Sequence, residues 1–324
     1  MFKFYSSICL AIFVVMLLCP LIILTPKAET DNEKTARSEE TGKIETVKVM
    51  MTASNTVAQV DIIDYLCGSV AAEMPAYYET EALKAQAIAC NTYLNMMKRR
   101  HESNPDKSLK GAYLSDNSDT HQGYIPIETL KDKWGDKFDE YYSKIKNAVT
   151  EVSDKIIVYN NEPIIAAYHA LSPGKTESAK NVWGQNIDYL TTVESVGDKL
   201  SPDFTETLKF TPEKFKEYAN KLDISLGDDV KQWIGKVDKT EVGTVNTIAL
   251  GNKNVTGLQF RDAFELKSAV FTINYENNCF TITTCGHGHG VGMSQYGADY
   301  MARQGSDFNE IIKHYYKGTE IISL

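Results

Sequence analysis

Apolar residues at Val60, Ile63, Leu66, Cys67 and Val70 fall at helical spacing along VAQVDIIDYLCGSVAAEM, which predicts a helix from about Val57 to Met74. It stops there because the residue before Pro75 is pushed out of the α region. A stronger stripe, Leu83, Ala87, Cys90, Leu94 and Met97, predicts a second helix through ETEALKAQAIACNTYLNMMKRR with Thr80 as its N-cap. From Lys155 the pattern changes to short strand-like runs: KIIVYN, PIIAAYHA, DYLTTVES, VNTIAL, AVFTIN and CFTITT. TPEKFKEYANKL, opened by Thr211 and Pro212, and SQYGADYMARQG, closed by Gly305, return to helix. Helices first and strands after predict an α+β fold, with N-terminal helices packed on a largely antiparallel sheet region.

The first residues follow another pattern. Phe4 to Leu24 is apolar apart from two serines, close to the ~20 residues a bilayer-spanning helix needs. No small-x-small cleavage signal follows, because Pro26 and Lys27 precede Ala28, so an uncleaved anchor is expected in preference to a signal peptide. The expected organisation is a cytoplasmic stub and transmembrane helix over residues 1–27, a flexible tether over 28–55, and one extracytoplasmic domain over 56–324. The tether reading rests on charge and on too few apolar residues to offset ordering. KIETVKVMM is either the end of the tether or the first strand of the domain.

With 324 residues, 43% of them hydrophobic, the chain can build one large core or two smaller ones. A net charge of −9 argues against a nucleic-acid partner, which would require a basic stripe. Cys9 and Cys19 lie in the expected anchor, leaving Cys67, Cys90, Cys279 and Cys285, whose pairing the sequence leaves open. Cys67 and Cys90 sit on apolar stripes and read as buried thiols.

Three stretches carry candidate chemistry. In GSVAAEMP, Glu73 is a lone carboxyl among apolar neighbours at a helix C-terminus. The helix dipole and partial burial both raise its pKa, as a proton donor near neutrality requires. An exposed glutamate at a helix end is the plainer alternative. In GHGHGVGMSQYGA, dense glycine allows close backbone approach to a ligand, and His289 and Gln295 offer polar contacts. No lysine follows the glycines and no βαβ context precedes them, so a phosphate loop is a poor alternative. Cys285, His287 and His289 alternate in a way a metal could use on a strand, but structural-zinc spacing is absent. In YHALSPGKTESAKNVWG a strand delivers His169 to a turn followed by Lys175, Thr176 and Glu177. There is no G-x-S-x-G around Ser172 and no H-E-x-x-H, which counts against a serine hydrolase and a zincin.

Together with EALKAQAIACNTY and GLQFRDAFELKSAVFTI, these stretches occur in one order from Val57 to the C-terminus, and in that order they resemble the family of stage II sporulation protein D and the amidase enhancers of bacterial cell walls. The resemblance implies a lytic transglycosylase. Such an enzyme cuts peptide-stripped glycan strands between N-acetylmuramic acid and N-acetylglucosamine and leaves 1,6-anhydro ends. It implies Glu73 as the catalytic acid, and Lys84, Gln86, His169, Thr176, Glu177, His289 and Gln295 as cleft residues. It also implies septal wall remodelling during forespore engulfment, in a complex with an amidase/endopeptidase and a membrane protein. This chain departs from the usual pattern at Asn91, where arginine is common, at His287, where an aromatic residue precedes GHG, and at His121, where some relatives carry a zinc-binding cysteine. No zinc site or other cofactor is therefore carried over, although His121 could ligate zinc. A non-catalytic glycan-binding enhancer of a separate amidase is the alternative reading.

Overall fold

The computed structural model describes residues 45–324. The expected anchor, and the tether up to residue 44, lie outside the described residues. Among those described, no helix is long and apolar enough to cross a membrane.

The fold starts with an antiparallel hairpin of β1 (Thr46–Met51) and β2 (Thr56–Asp61), in which Val49 faces Ala58. Val47 and Val49 point into the core while Thr46 and Lys48 face out, the alternation of a half-buried strand. Of KIETVKVMM the part Thr46–Met51 is therefore strand, and the domain begins ahead of the expected boundary at 56. Residues 57–61, expected as helix, are also strand. The helix α1 (Ile62–Glu73) begins only where the Asp61 carboxylate accepts from the Ile63 amide at 2.8 Å. It ends at Glu73, because Met74 before Pro75 is extended.

The helix α2 (Thr80–Ser103) is the central rod. Glu79 occupies its N-cap position without a side-chain bond, so Thr80 is its first residue and not its cap. Ala82, Ala85, Ala87 and Ala89 are all buried, and these small side chains let α2 pack on several sides at once. After β3 (Leu114–Ser115), which runs parallel to β1, come α3 (Ile127–Trp134) and α4 (Phe138–Val152). The α4 stripe of Ile145, Ala148, Val149 and Val152 has helical spacing and packs on α1 and α2. Neither helix is among those the apolar pattern of the chain predicts.

Three strands follow, β4 (Lys155–Tyr159), β5 (Glu162–Pro163) and β6 (Tyr168–His169), and then the short α5 (Ala179–Trp183). A second unit of chain is built from β7 (Thr205–Phe210), α6 (Pro212–Asn220), β8 (Ile234–Lys239), β9 (Val245–Leu250), β10 (Lys253–Thr256), α7 (Gly257–Phe264), β11 (Phe271–Glu276) and β12 (Cys279–Cys285). The chain returns through β13 (Met293–Ser294), α8 (Gln295–Arg303), α9 (Phe308–Tyr315) and β14 (Glu320–Ser323). The sheets run β2-β1-β3, β14-β4-β5, β13-β6, β10-β9-β8 and β11-β12-β7, with β1–β3 and β6–β13 the parallel pairs.

The expected α+β class with mainly antiparallel sheet is what the molecule has. Two runs expected as strands are largely irregular: of PIIAAYHA only Pro163, Tyr168 and His169 lie in strands, and DYLTTVES in none. Their backbone groups pair in isolated bridges instead, as where the Thr176 amide donates to the Val193 carbonyl at 2.8 Å.

Two cores form. The first gathers Tyr65, Leu66, Leu83, Ile88, Leu94, Val149, Ile157 and Tyr316. Each fully buried leucine or isoleucine there contributes roughly 1.5–3 kcal/mol. The second is aromatic, with Phe210, Phe215, Trp233, Phe260, Phe264 and Phe280, and the Phe215 and Phe280 rings stack at 4.1 Å. The candidate site belongs to the first core and to the returning β13–α8 segment.

Candidate active site

Glu73 ends α1 half-buried. Its Oε1 accepts from the Gly123 amide at 2.8 Å. Burial pushes its carboxyl above the ordinary glutamate range, and the Gly123 amide and Tyr168 hydroxyl only partly oppose this. The end-of-helix position adds to the same tendency. Tyr168 arrives on β6, held by its parallel register with Met293. It partly offsets the rise in pKa of both the Glu73 carboxyl and the Cys90 thiol. The Cys90 thiol, fully buried on α2, is pushed up to about 12 by that burial and is neutral.

One turn earlier on α2, the Gln86 amide donates to Cys90 Sγ at 3.5 Å. Gln295 at the start of α8 donates to Gln86 Oε1 at 3.3 Å. The structure thus brings Glu73, Gln86 and Gln295 into one neighbourhood, together with Tyr168, Cys90 and Gly123. Those last three were not singled out from sequence. Tyr168 and Cys90 did lie inside quoted motifs, but nothing marked them beyond an adjacent histidine and an apolar stripe.

His169 and His289 form a second cluster, because successive strand residues face opposite ways. His169 is buried, donates from Nδ1 to the Val291 carbonyl at 3.1 Å, and leaves Nε2 without a partner. His289 accepts at Nδ1 from the Val291 amide at 3.1 Å. The rings lie 5.8 Å apart, with Trp183 5.6 Å beyond His289. Burial holds His169 at about 3 and His289 at about 4, so both are neutral imidazoles.

The remaining expected cleft residues are otherwise engaged. Thr176 is buried, and its hydroxyl oxygen accepts from the Val193 amide at 2.9 Å. Glu177 is buried with both carboxylate oxygens occupied: Oε1 by the Ser178 amide and Asn181, Oε2 by the Thr240 hydroxyl at 2.7 Å. That leaves it no free oxygen for acid–base work. Lys84 lies about 200° round the helix from Gln86. Its ammonium is shared between Glu81 and Glu151, so it does not join the Glu73 group. Asn91 braces the turn into β4 by donating to the Ser153 and Lys155 carbonyls at 2.9 and 3.0 Å.

Asp198 is a further buried carboxyl that no motif announced. It accepts from the Ser172 amide at 2.9 Å and from the Ser294 hydroxyl at 2.8 Å, and burial raises its pKa. Ser294 caps α8 through the Gly297 amide, so Asp198 fixes where α8 starts and hence where Gln295 points. His121 Nδ1 meets Ser115 Oγ at 2.9 Å, and His287 is exposed. Among the described residues no group of three His, Cys, Asp or Glu side chains is placed to hold a metal ion, and the four cysteines are free thiols.

Residues 51–159 match the family described as Stage II sporulation protein, a stretch that includes Glu73, Gln86, Cys90 and Gly123. Stage II sporulation protein D of Bacillus subtilis (strain 168) is 36% identical over 94% of this chain and 93% of its own length. Stage II sporulation protein D of Bacillus amyloliquefaciens is 38% identical over 85% of this chain and 78% of its own. The amidase enhancer of B. subtilis is 27% identical over 80% of this chain, which spans 40% of that protein. The chain belongs to the stage II sporulation protein D family.

Proposed function

We propose that this protein is a peptidoglycan lytic transglycosylase that works on peptide-stripped glycan strands, with Glu73 as its single acid/base. The observation that carries the reading is the Glu73 carboxyl itself. It is half-buried, raised in pKa, and surrounded by neutral donors. Glycosidases ordinarily place two carboxyl groups about the scissile bond. Here Glu177, the other carboxylate among the expected cleft residues, is saturated by its own neighbours. One carboxyl suffices when the sugar supplies its own nucleophile.

In that reaction protonated Glu73 donates to the glycosidic oxygen as the bond from muramic C1 breaks. The resulting carboxylate then takes the proton of the muramic 6-hydroxyl as its oxygen bonds to C1. The acid is regenerated and no water is consumed. The family's role in sporulation and the resemblance to an amidase enhancer support a cell-wall setting. In that setting the chain would be anchored through residues 1–27 with its domain outside the cytoplasm. It would work beside a peptide-stripping amidase in septal remodelling and engulfment.

The test uses the full chain, wild type and Glu73→Gln, on purified peptide-free glycan strands, with mass spectrometry of the ends. New ends one water lighter than a hydrolysed sugar, from wild type alone, are expected. The amidase-enhancer relative favours one other reading, a glycan-binding module without catalysis. Binding without new ends from either protein would establish that reading instead.

A further inference from the structure

Gly123 meets Glu73 from the stretch 122–126, which belongs to no helix or strand, so no ladder holds its amide in place. Contacts along one face of α1 hold it instead. The Gln122 side-chain amide donates to the Tyr65 hydroxyl, and the Tyr124 ring stacks on the Tyr65 ring at 5.5 Å. The Ile125 amide donates to the Gly68 carbonyl at 3.2 Å. A Cβ on Gly68 would lie 2.5 Å from the Ile125 carbonyl oxygen and 2.6 Å from the Tyr124 ring. Glycine there costs α1 about 1 kcal/mol relative to alanine, and it is what lets the stretch lie flat on the helix. Tyr65, Gly68 and Ala72 follow at steps of three and four, and a Cβ on Gly123 would stand 3.1 Å from the Ala72 methyl. The anchored stretch therefore ends beside Glu73.

We infer that Gln122 and Tyr65 are positioning residues for Glu73: their hydrogen bond pins the stretch 122–125 on α1, so that the Gly123 amide holds Oε1 and Oε2 carries the acid proton. The inference rests on the reading of Glu73 as acid/base. A protonated carboxyl has one carbonyl oxygen and one hydroxyl, and an N–H donates to the carbonyl oxygen. With Oε1 taken by Gly123, the proton belongs to Oε2. After that proton has gone to the leaving sugar, the same amide stabilises the carboxylate that remains. Tyr65 is fully buried and Gln122 nearly so, so neither touches a glycan strand, and both act through Gly123. A stretch free to slide would let the carboxyl turn and its proton change oxygen, which costs orientation at the reacting bond.

The test titrates the Glu73 carboxyl carbon by NMR in the full chain, the signal being assigned by its loss in Glu73→Gln. Tyr65→Phe keeps the ring against Tyr124 and removes only the hydroxyl, whereas Gln122→Met keeps the length and removes the amide. The titratable groups that act on the carboxyl, the Tyr168 phenol of β6 and the Cys90 thiol of α2, are neutral and stay in place. Each single variant weakens the Gly123 donor, so the Glu73 titration is expected to move up by about half a unit, part of the worth of a hydrogen bond to a charged group. On peptide-free glycan kcat should fall about tenfold with KM little changed. Each single variant also leaves its partner buried without a hydrogen bond, so both should melt below wild type. The double variant sets two apolar groups together and should melt closer to wild type, yet keep a shift no larger than either single variant. A titration that stays at the wild-type value in the single variants overturns the inference. So does one that returns with the melting temperature in the double variant, since a role in stability alone predicts that. Shifted titrations in a chain whose wild type cuts no glycan support the inference while overturning the proposed reaction.

Discussion

Gly123 donates its amide to Glu73 Oε1 at 2.8 Å from 50 residues along the chain. A Cβ at Gly123 would stand 2.9 Å from that same oxygen. The position therefore has to be glycine for the carboxyl to keep its place. Gly123→Ala is expected to displace Glu73 and lower kcat on peptide-free glycan at least tenfold, about 1.4 kcal/mol of barrier. The melting temperature should fall by only a few degrees. Steady-state kinetics beside thermal unfolding would check both; full activity in the variant would contradict the geometry.

Glu73 also makes a stability prediction with a definite sign. Its folded pKa is raised above its unfolded value, so the folded state holds the proton more tightly. The stability this gives is complete below the unfolded pKa and is lost as pH rises through the folded one. Glu73→Gln keeps a neutral side chain of the same shape. It should cut no glycan, melt above wild type at pH 8, and lose that advantage at pH 4. The scale is roughly 2–4 °C per kcal/mol for a domain of this size.

The buried histidines act in the opposite direction. His169 and His289 sit at about 3 and about 4 in the fold, and near 6.5 when unfolded. Below about pH 6.5 the unfolded chain therefore binds more protons, and stability falls as the pH drops toward these folded values. Urea unfolding at pH 7 and pH 4 should differ on the order of 6 kcal/mol from this pair, roughly 3 from each histidine. His169→Asn, whose amide can still donate to the Val291 carbonyl, should flatten that dependence.

Two glycines with nearly the same φ separate strain from space. Gly184 has φ +73 and open surroundings, whereas Gly292 has φ +75 and a Cβ there would lie 2.0 Å from the Ala167 carbonyl oxygen. Gly184→Ala should cost about 1 kcal/mol, the left-handed backbone alone. Gly292→Ala must also push apart the β6–β13 pair that carries Tyr168. A loss of about 3 kcal/mol or more is expected, and circular dichroism reads whether the chain still folds.

The sequence by itself determined the helices whose apolar stripes are long, the α+β class, and Glu73 as the unusual carboxyl. Each of these depends on interactions within a few residues: a 3.6-residue period, a proline stop, an acid with no polar neighbours. It misjudged the boundary at 56–61, because Val57 and Val60 fit a helical stripe and a strand equally until β1 pairs with them. It also overran the strands of 163–170 and 188–195, whose apolar content serves packing without a ladder. The site needed the tertiary structure. Gly123, Tyr168 and Gln295 reach Glu73 and α2 across wide separations in the chain, and no local pattern encodes such approaches. Lys84 and Gln86 look alike as polar neighbours in sequence. Only the packing of α2 between α4 and α8 turns one to solvent-side carboxylates and the other into the core.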